Sequence, residues 1–373
     1  TLVDYFFLGK YRVLLTANQE GYVVALIQAA GTIVNMVVSI FLIYIGAGVL
    51  FVKAVATGVY MLRLVLVKIY AKRKYPALDF YAEPNEGALK QKNAALLHQV
   101  VGIIVNNTDT TVLTICLGAK SLLEVSVYGI YMMVVNAVNQ LMTSFSNGLT
   151  AGFGEVIAKN EEETLKKSYS SYEYMYFVIM FIVIACMGVL ILPFVGVYTI
   201  NLTDVQYVRP VLGILFTLIV FMQNVRIPGL TIICAAGHYK ETRYQAILEA
   251  VINITVSLGL VWKFGMAGVL LGTVCSYGYR SFEIVFYTSR HLVKGCAKKS
   301  MFRILRNVFT VAILCTVGTY VIPQEITSFT TWFLYAIGMG LTSVFLVVVI
   351  NYVVEPDEFM QLRHRVNDII KKE

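Results

Sequence analysis

Four basic side chains lie inside stretches of sequence that are otherwise apolar: Lys53, Arg63, Arg226 and Arg280. A cation surrounded by hydrocarbon costs about 2.5 to 3.5 kcal/mol, so such a residue normally faces water, a partner charge or a polar ligand. Guanidinium groups bind phosphate through paired hydrogen bonds and offset its charge. The four residues therefore predict a polar interior that handles an ion or a charged substrate.

The depth of each cation separates two interpretations. Lys53 and Arg63 lie roughly 10 Å from the nearer end of their stretches, so each side chain could simply snorkel to the membrane surface. Arg226 and Arg280 lie roughly 15 Å deep, which is too far for comfortable snorkelling. These two arginines are the stronger candidates for a buried cavity.

Asp109 is the candidate for ion coupling, and it lies near Asn106 and Thr110 on one broad helix face. A buried carboxylate pairs with a cation or keeps its proton, and one that alternates between these states can couple proton or sodium movement to transport. A static ion pair with an arginine is the alternative. Arg280 and Glu283 are three residues apart, a spacing that favours a structural ion pair on one helix.

The composition predicts a membrane protein of the all-α polytopic class. Hydrophobic residues make up 58% of the 373 residues and charged residues only 14%, against about 25% charged in a typical soluble domain. Apolar blocks of about 20 residues match a hydrocarbon thickness of about 30 Å, and their continuity favours helices over a barrel. We expect ten spans, at 22–45, 47–70, 94–118, 122–147, 172–197, 207–235, 244–262, 266–290, 304–322 and 331–353.

Lysine and arginine collect in alternate loops, which predicts that those loops and both visible ends of the chain are cytoplasmic. One of these loops contains Arg290, Lys294, Lys298, Lys299 and Arg303. The net charge of +8 is then topogenic and lipid-facing, and it does not indicate a nucleic-acid partner. The six cysteines lack paired spacing and the four histidines are scattered, so we expect no disulfide, metal, cofactor or catalytic cluster.

Two tracts of the chain resemble each other, one starting at Leu14 and the other at Ile232. The aligned pairs are Asn35 with Asn253, Ser39 with Ser257, Ala47 to Leu50 with Ala267 to Leu270, and Gly58 with Gly278. Chance similarity between apolar sequences is the alternative. A repeat with the same direction implies two halves related by an axis along the membrane normal. Its register predicts three or four further helices ahead of Thr1.

The segments that carry a family resemblance are IIVNNTDTTVLTICLG at 103–118, VSVYGIY after it, and GHYKETRYQAILEAVINITVSLGLVWKFGMAG at 237–268. With the repeated tract they resemble the polysaccharide flippases of the multidrug/oligosaccharidyl-lipid/polysaccharide exporter superfamily, in particular the Wzx-type O-antigen and capsule flippases. The resemblance implies a MATE-like fold of two six-helix lobes, with two extra helices here. The expected segments are 1–70 for the rest of the first lobe, 71–93 for a cytoplasmic loop, 94–290 for the second lobe, 291–303 for a basic loop, 304–353 for two added helices and 354–373 for a cytoplasmic tail.

The function implied by the resemblance is transport, by alternating access, of an oligosaccharide linked to polyprenyl pyrophosphate. The substrate would move from the cytoplasmic to the outer leaflet of a bacterial cell membrane, for O-antigen, capsule or exopolysaccharide synthesis. The residues expected to line a cationic cavity are Arg226, Arg280, Arg63, Lys53, Asn107, Gln223, Asn224 and Asn253. The expected partners are this lipid-linked oligosaccharide, membrane lipids and a coupling proton or sodium ion. A monomer associating with the polymerase and glycosyltransferases of its pathway is implied.

Two other functions stay open. A cation-coupled multidrug antiporter of the same fold would line its cavity with carboxylates and aromatic residues, whereas the deep charges here are chiefly arginine and lysine. A membrane-embedded polysaccharide polymerase or acyltransferase would need a catalytic cluster at a membrane face. The predicted outer loops are short and no such cluster is visible, so we expect the protein not to be an enzyme.

Overall fold

A computed structural model describes residues 9–76, 78, 92–118, 121–146, 149–323 and 326–360. All regular secondary structure in these ranges is helical. The helices are α1 (Gly9–Ala17), α2 (Gly21–Tyr44), α3 (Val49–Lys74), α4 (Lys92–Cys116), α5 (Ser121–Ser146), α6 (Leu149–Ala158), α7 (Glu162–Tyr198), α8 (Pro210–Val225), α9 (Ile227–Ala235), α10 (Arg243–Phe264), α11 (Met266–His291), α12 (Ala297–Val321) and α13 (Phe329–Val354). Most of the predicted loop at 71–93 and of the predicted tail at 354–373 lies outside the described residues.

Eight helical segments in the described ranges are long and apolar enough to cross a membrane. They are Gly21–Tyr44, Val49–Lys74, Ser121–Ala158, Glu162–Tyr198, Pro210–Ala235, Arg243–Phe264, Ala297–Val321 and Phe329–Val354. This is the architecture of a multi-pass helical membrane protein, so the predicted class is confirmed.

The two predicted spans that are not among these eight correspond to α4 and α11. They contain 25 and 26 residues, about 38 Å of helix, which is long enough to cross the hydrocarbon. Their composition is more polar, because α4 carries Asn106 to Thr111 and α11 carries Arg280 and Glu283. The count of ten spans therefore stays a prediction.

The chain divides into two compact units, one of residues 1–90 with 147–155 and the other of residues 91–146 with 156–373. In the first unit α1 packs against the hairpin of α2 and α3. Its core contains Tyr11, Leu15, Val24 and Leu64. This small apolar cluster holds the hairpin that carries Lys53 and Arg63.

The second unit is built around the hairpin of α10 and α11, which packs against α4 and α8. Gly265 makes the turn with a φ of +57°, a left-handed conformation that costs glycine little. A Cβ atom on Gly268 would lie 2.3 Å from the Leu260 carbonyl oxygen, and one on Gly272 would lie 2.1 Å from Ser257 Oγ. The absence of side chains at these two positions lets the two helices meet closely.

The span predicted at 207–235 is divided into two helices, α8 and α9. Helix α8 ends at Val225, Arg226 stands between the two helices, and Pro228 lies in the first turn of α9. Proline is well tolerated there because the first amides of a helix have no carbonyl partner within it. The break places the Arg226 side chain in the interior of the second unit.

Helix α7 is much longer than its predicted span. It contains 37 residues, roughly 55 Å of helix, against a hydrocarbon core of about 30 Å. The charged stretch that starts at Glu162 is the first part of this same helix. Helices α12 and α13 both pack along α7.

Candidate functional site

Two arginines and two glutamates form a buried cluster in the second unit. Arg226 pairs with Glu249 of α10, whose other carboxylate oxygen lies 3.5 Å from Nε of Arg280 on α11. Arg280 also pairs with Glu283, which confirms the ion pair expected from their spacing. The four formal charges cancel, and this compensation is what makes a charged cluster tolerable inside an apolar bundle.

Glu249 is buried although it lies near the start of α10. Its side chain is only 9% exposed. Burial without a partner would cost several kcal/mol, and Glu249 instead has an arginine at each of its oxygens. The partners come from α8–α9 and α11, which are distant in sequence, so no local pattern could reveal them.

Arg226 is more exposed than Arg280, and its guanidinium group has one nitrogen without a hydrogen-bond partner among the described residues. Its side chain is 13% exposed against 3% for Arg280, and its Nε has no hydrogen-bond partner within the described residues. The guanidinium lies 4.4 Å from the ring centroid of Tyr277, a cation–π contact. The Tyr277 hydroxyl donates to Asn106 Oδ1 at 3.2 Å, which links the charged cluster to α4.

Asp109 lies beside this cluster and is bound by hydroxyl groups. Its Oδ1 accepts a hydrogen bond of 2.7 Å from Thr273, and its Oδ2 accepts one of 3.3 Å from Tyr128. Within the described ranges no lysine or arginine forms an ion pair with it. The alternative of a static ion pair with an arginine is therefore not supported.

Asn253 extends the same hydrogen-bond network into α10. Its Nδ2 donates to Thr273 Oγ1 at 3.0 Å, so that hydroxyl accepts from Asn253 while it donates to Asp109. Asn253 is fully buried, and its Oδ1 has no hydrogen-bond partner in the part of the chain that the structure describes. Thr273, which the sequence did not single out, is the residue that joins the two predicted ones.

A second group of amides brings together Gln223 and Asn224. Asn139 of α5 donates to Gln223 Oε1 at 2.9 Å and accepts from Asn224 Nδ2 at 3.0 Å. The Tyr176 hydroxyl of α7 donates to Asn224 Oδ1 at 2.9 Å. Asn139 and Tyr176 were missed by sequence reasoning, although an amide inside an apolar span was a usable signal.

Three of the predicted cavity residues lie elsewhere. Asn107 is exposed and donates to the carbonyl oxygen of Ile103 in its own helix at 2.7 Å. Lys53 is exposed in the first unit, and Arg63 is half-buried there. Their roles in a cavity stay predictions.

In each unit, one position of the first hairpin helix contacts an arginine of the second helix, although the two arginines do not align with each other in the repeat. Arg63 packs so closely against Gly31 that a Cβ on that glycine would lie 2.3 Å from Arg63 Nε. With the repeat offset of 218 residues, Gly31 aligns with Glu249, which contacts Arg280 of its own hairpin. In both hairpins this position of the first helix therefore faces an arginine of the second.

No model of a known protein family matches the chain. No curated protein matches it either. The arrangement of the buried polar side chains therefore carries the functional inference.

Proposed function

We propose that this protein is a flippase for an oligosaccharide repeat unit linked to polyprenyl pyrophosphate. It would move the substrate from the cytoplasmic to the outer leaflet of a bacterial cell membrane, with both visible chain ends cytoplasmic, for surface polysaccharide synthesis. The observation that supports the proposal is Arg226, a buried guanidinium at a helix break with one nitrogen unpartnered in the described residues. It lies among helices long and apolar enough to cross a membrane.

Arg226 and Arg280 have different roles in this proposal. Arg226 binds a phosphate oxygen of the substrate, since its side chain is the more exposed of the two and its buried Nε has no hydrogen-bond partner in the described residues. Arg280 holds Glu249 at 3.5 Å and pairs with Glu283. When phosphate replaces Glu249 at Arg226, the Glu249 carboxylate keeps Arg280 as a partner. The phosphate adds negative charge to a cluster whose four charges already cancel, so the exchange requires a proton or a cation to bind together with it.

Asp109 is the proposed coupling residue. Its carboxylate is 4% exposed and is surrounded by hydroxyl groups that can hydrogen-bond either protonation state. Proton or sodium binding at this position changes the charge next to the Arg226–Tyr277 contact, because Asn106 on the same helix binds Tyr277. This is a physical route by which ion binding biases the phosphate site.

A cation-coupled antiporter remains the second candidate. The observation that favours it is the same carboxylate, since Asp109 has no basic partner in the described ranges and could bind an organic cation directly. In that case Asp109 would contact the substrate and Arg226 would be structural.

The test is a flipping assay with the full chain in liposomes, using a fluorescent short-chain polyprenyl-pyrophosphate oligosaccharide. We expect Arg226→Gln to lower the flipping rate at least tenfold, because one charge-assisted phosphate contact is worth about 1.5 to 3 kcal/mol. Arg209→Gln is the matched control, since Arg209 also pairs with a glutamate, Glu124, in the same unit but outside the site. Equal rates for the two variants would overturn the role of Arg226. Uptake of organic cations without lipid flipping would favour the antiporter.

A further inference from the structure

A cavity of about 380 Å³ lies at the N-terminal end of α7, away from the buried site. It opens between α7, the turn that precedes α12, and Glu358. Its volume falls in the range of roughly 300 to 1,000 Å³ that small-molecule sites occupy. Its charged lining residues are Glu163, Lys166, Lys167, Glu173, Lys299 and Glu358.

The carboxylates deep in this cavity are already neutralised. Arg303, which is 1% exposed, donates to Glu173 at 3.1 Å and lies 3.5 Å from Glu358. Lys299 pairs with Glu358 at 2.5 Å, and Glu355 accepts from Arg303 at 3.1 Å. These interactions join α7, α12 and the segment after α13. They form the bottom of the cavity, where the charged side chains are held by ion pairs.

The rim of the cavity is basic. Lys166 and Lys167 are exposed, and neither forms an ion pair with any described residue. Three lysines and three glutamates line the cavity. Glu173 and Glu358 are paired with Arg303 and Lys299, so the unpaired charges at the rim are Lys166 and Lys167 against Glu163. An anion that enters therefore meets uncompensated ammonium groups.

The start of α12 adds to this preference. Gly295 and Cys296 line the cavity directly before that helix, which has 25 residues. The positive end of a helix dipole favours an anion nearby. The helix dipole and the lysines therefore both favour an anion in the cavity.

The position of the cavity relative to the membrane indicates which class of anion it would bind. The apolar part of α7 begins near Met175, so Lys167 lies roughly 12 Å beyond the hydrocarbon boundary. Polar headgroups occupy that layer of a bilayer, and basic residues at the cytoplasmic surface attract lipid phosphate. The loops that flank the cavity are among those predicted to be cytoplasmic from their lysines and arginines.

We propose that this cavity binds the phosphate diester of a membrane phospholipid headgroup, held by Lys166, Lys167 and Lys299. The site is separate from the proposed transport site, so its existence does not depend on the transport function. A bound lipid here would bridge α7 and α12 at the membrane surface.

The test uses the full chain in detergent, titrated with short-chain phosphatidylglycerol, with bound lipid measured by native mass spectrometry. We expect the double variant Lys166→Gln/Lys167→Gln to weaken lipid binding at least tenfold, since each lysine near a phosphate contributes substantially to attraction. The matched control is Lys240→Gln/Lys298→Gln, which removes two exposed lysines on the same predicted face but outside the cavity. We expect less than a threefold change in the control.

Two results would overturn the proposal. Equal weakening in both double variants would mean that general surface charge, and not the cavity, attracts the lipid. Displacement of the lipid by an equal concentration of inorganic phosphate would identify a free-phosphate site instead. Unchanged thermal unfolding of both variants would show that the difference in binding does not arise from misfolding.

Discussion

Thr273 donates its hydroxyl hydrogen to Asp109 across 2.7 Å and thereby joins α11 to α4. The same hydroxyl accepts from Asn253 of α10 at 3.0 Å. One small side chain thus connects three helices in the interior of the second unit. These three residues are buried. Loss of the hydroxyl would leave Asp109 Oδ1 without its donor and Asn253 Nδ2 with only the 3.4 Å hydrogen bond to Ser276.

We expect Thr273→Val to destabilise the protein by about 1 to 3 kcal/mol, the usual cost of leaving a buried polar group unpaired. Thr273→Ser keeps the hydroxyl and is the control, for which we expect the smaller loss. The measurement is thermal unfolding in detergent. If Val and Ser cost the same, the methyl group and not the hydrogen bonds would matter at this position.

Glu249→Gln tests the sharing of one carboxylate by two arginines. The substitution removes the negative charge that Arg226 and Arg280 both contact, and breaking a buried ion pair typically costs about 3 to 5 kcal/mol. Glu283→Gln is the matched control, since its side chain is 15% exposed and Arg280 keeps Glu249. We expect the unfolding temperature to fall clearly more for Glu249→Gln. A larger loss for Glu283→Gln would contradict the central position of Glu249.

Gly272→Ala tests the close approach of α10 and α11. The new Cβ would lie 2.1 Å from Ser257 Oγ and 2.7 Å from the Ser257 backbone nitrogen, and such overpacking typically costs about 1 to 3 kcal/mol. Gly278→Ala, in the same helix, meets no atom within 4 Å and should be neutral or slightly stabilising. Yield of folded protein and its unfolding temperature are the measurements. Equal behaviour of the two variants would mean that the helices do not approach so closely.

Glu358 should make the stability of the second unit sensitive to acid. Burial raises the pKa of Glu358. Hydrogen bonds from Lys299 and Ser170 and the positive charges of Lys299 and Arg303 have the opposite and larger effect, so the pKa lies below its usual value of 4.5. A folded-state pKa below the unfolded one means that the folded protein binds fewer protons. The stabilisation is therefore fully present above the usual pKa and is lost as the pH falls through the lowered one.

The corresponding measurement is thermal unfolding at several pH values for the wild type and for Glu358→Gln. We expect the difference between the two proteins to be constant from pH 7 to about pH 5 and to shrink below about pH 4.5. A difference that instead grows as the pH falls would show that the carboxylate is not stabilised in its ionised form.

The sequence alone determined the helical membrane class and the ion pair of Arg280 with Glu283. Both depend on residues close together in the chain, since an apolar block sets a span and a three-residue spacing sets a pair. The buried position of Arg226 also followed, because depth in an apolar block can be counted directly.

Only the tertiary structure decided which groups these residues meet. Glu249 contacts arginines from two other helix segments, Thr273 connects Asp109 to Asn253, and Asn139 joins Gln223 to Asn224. Such contacts depend on how helices distant in sequence are packed and rotated, which no local spacing specifies. Helix rotation is set by close approaches such as that of Gly272 to Ser257, and it turns two isolated cations into a neutral buried cluster.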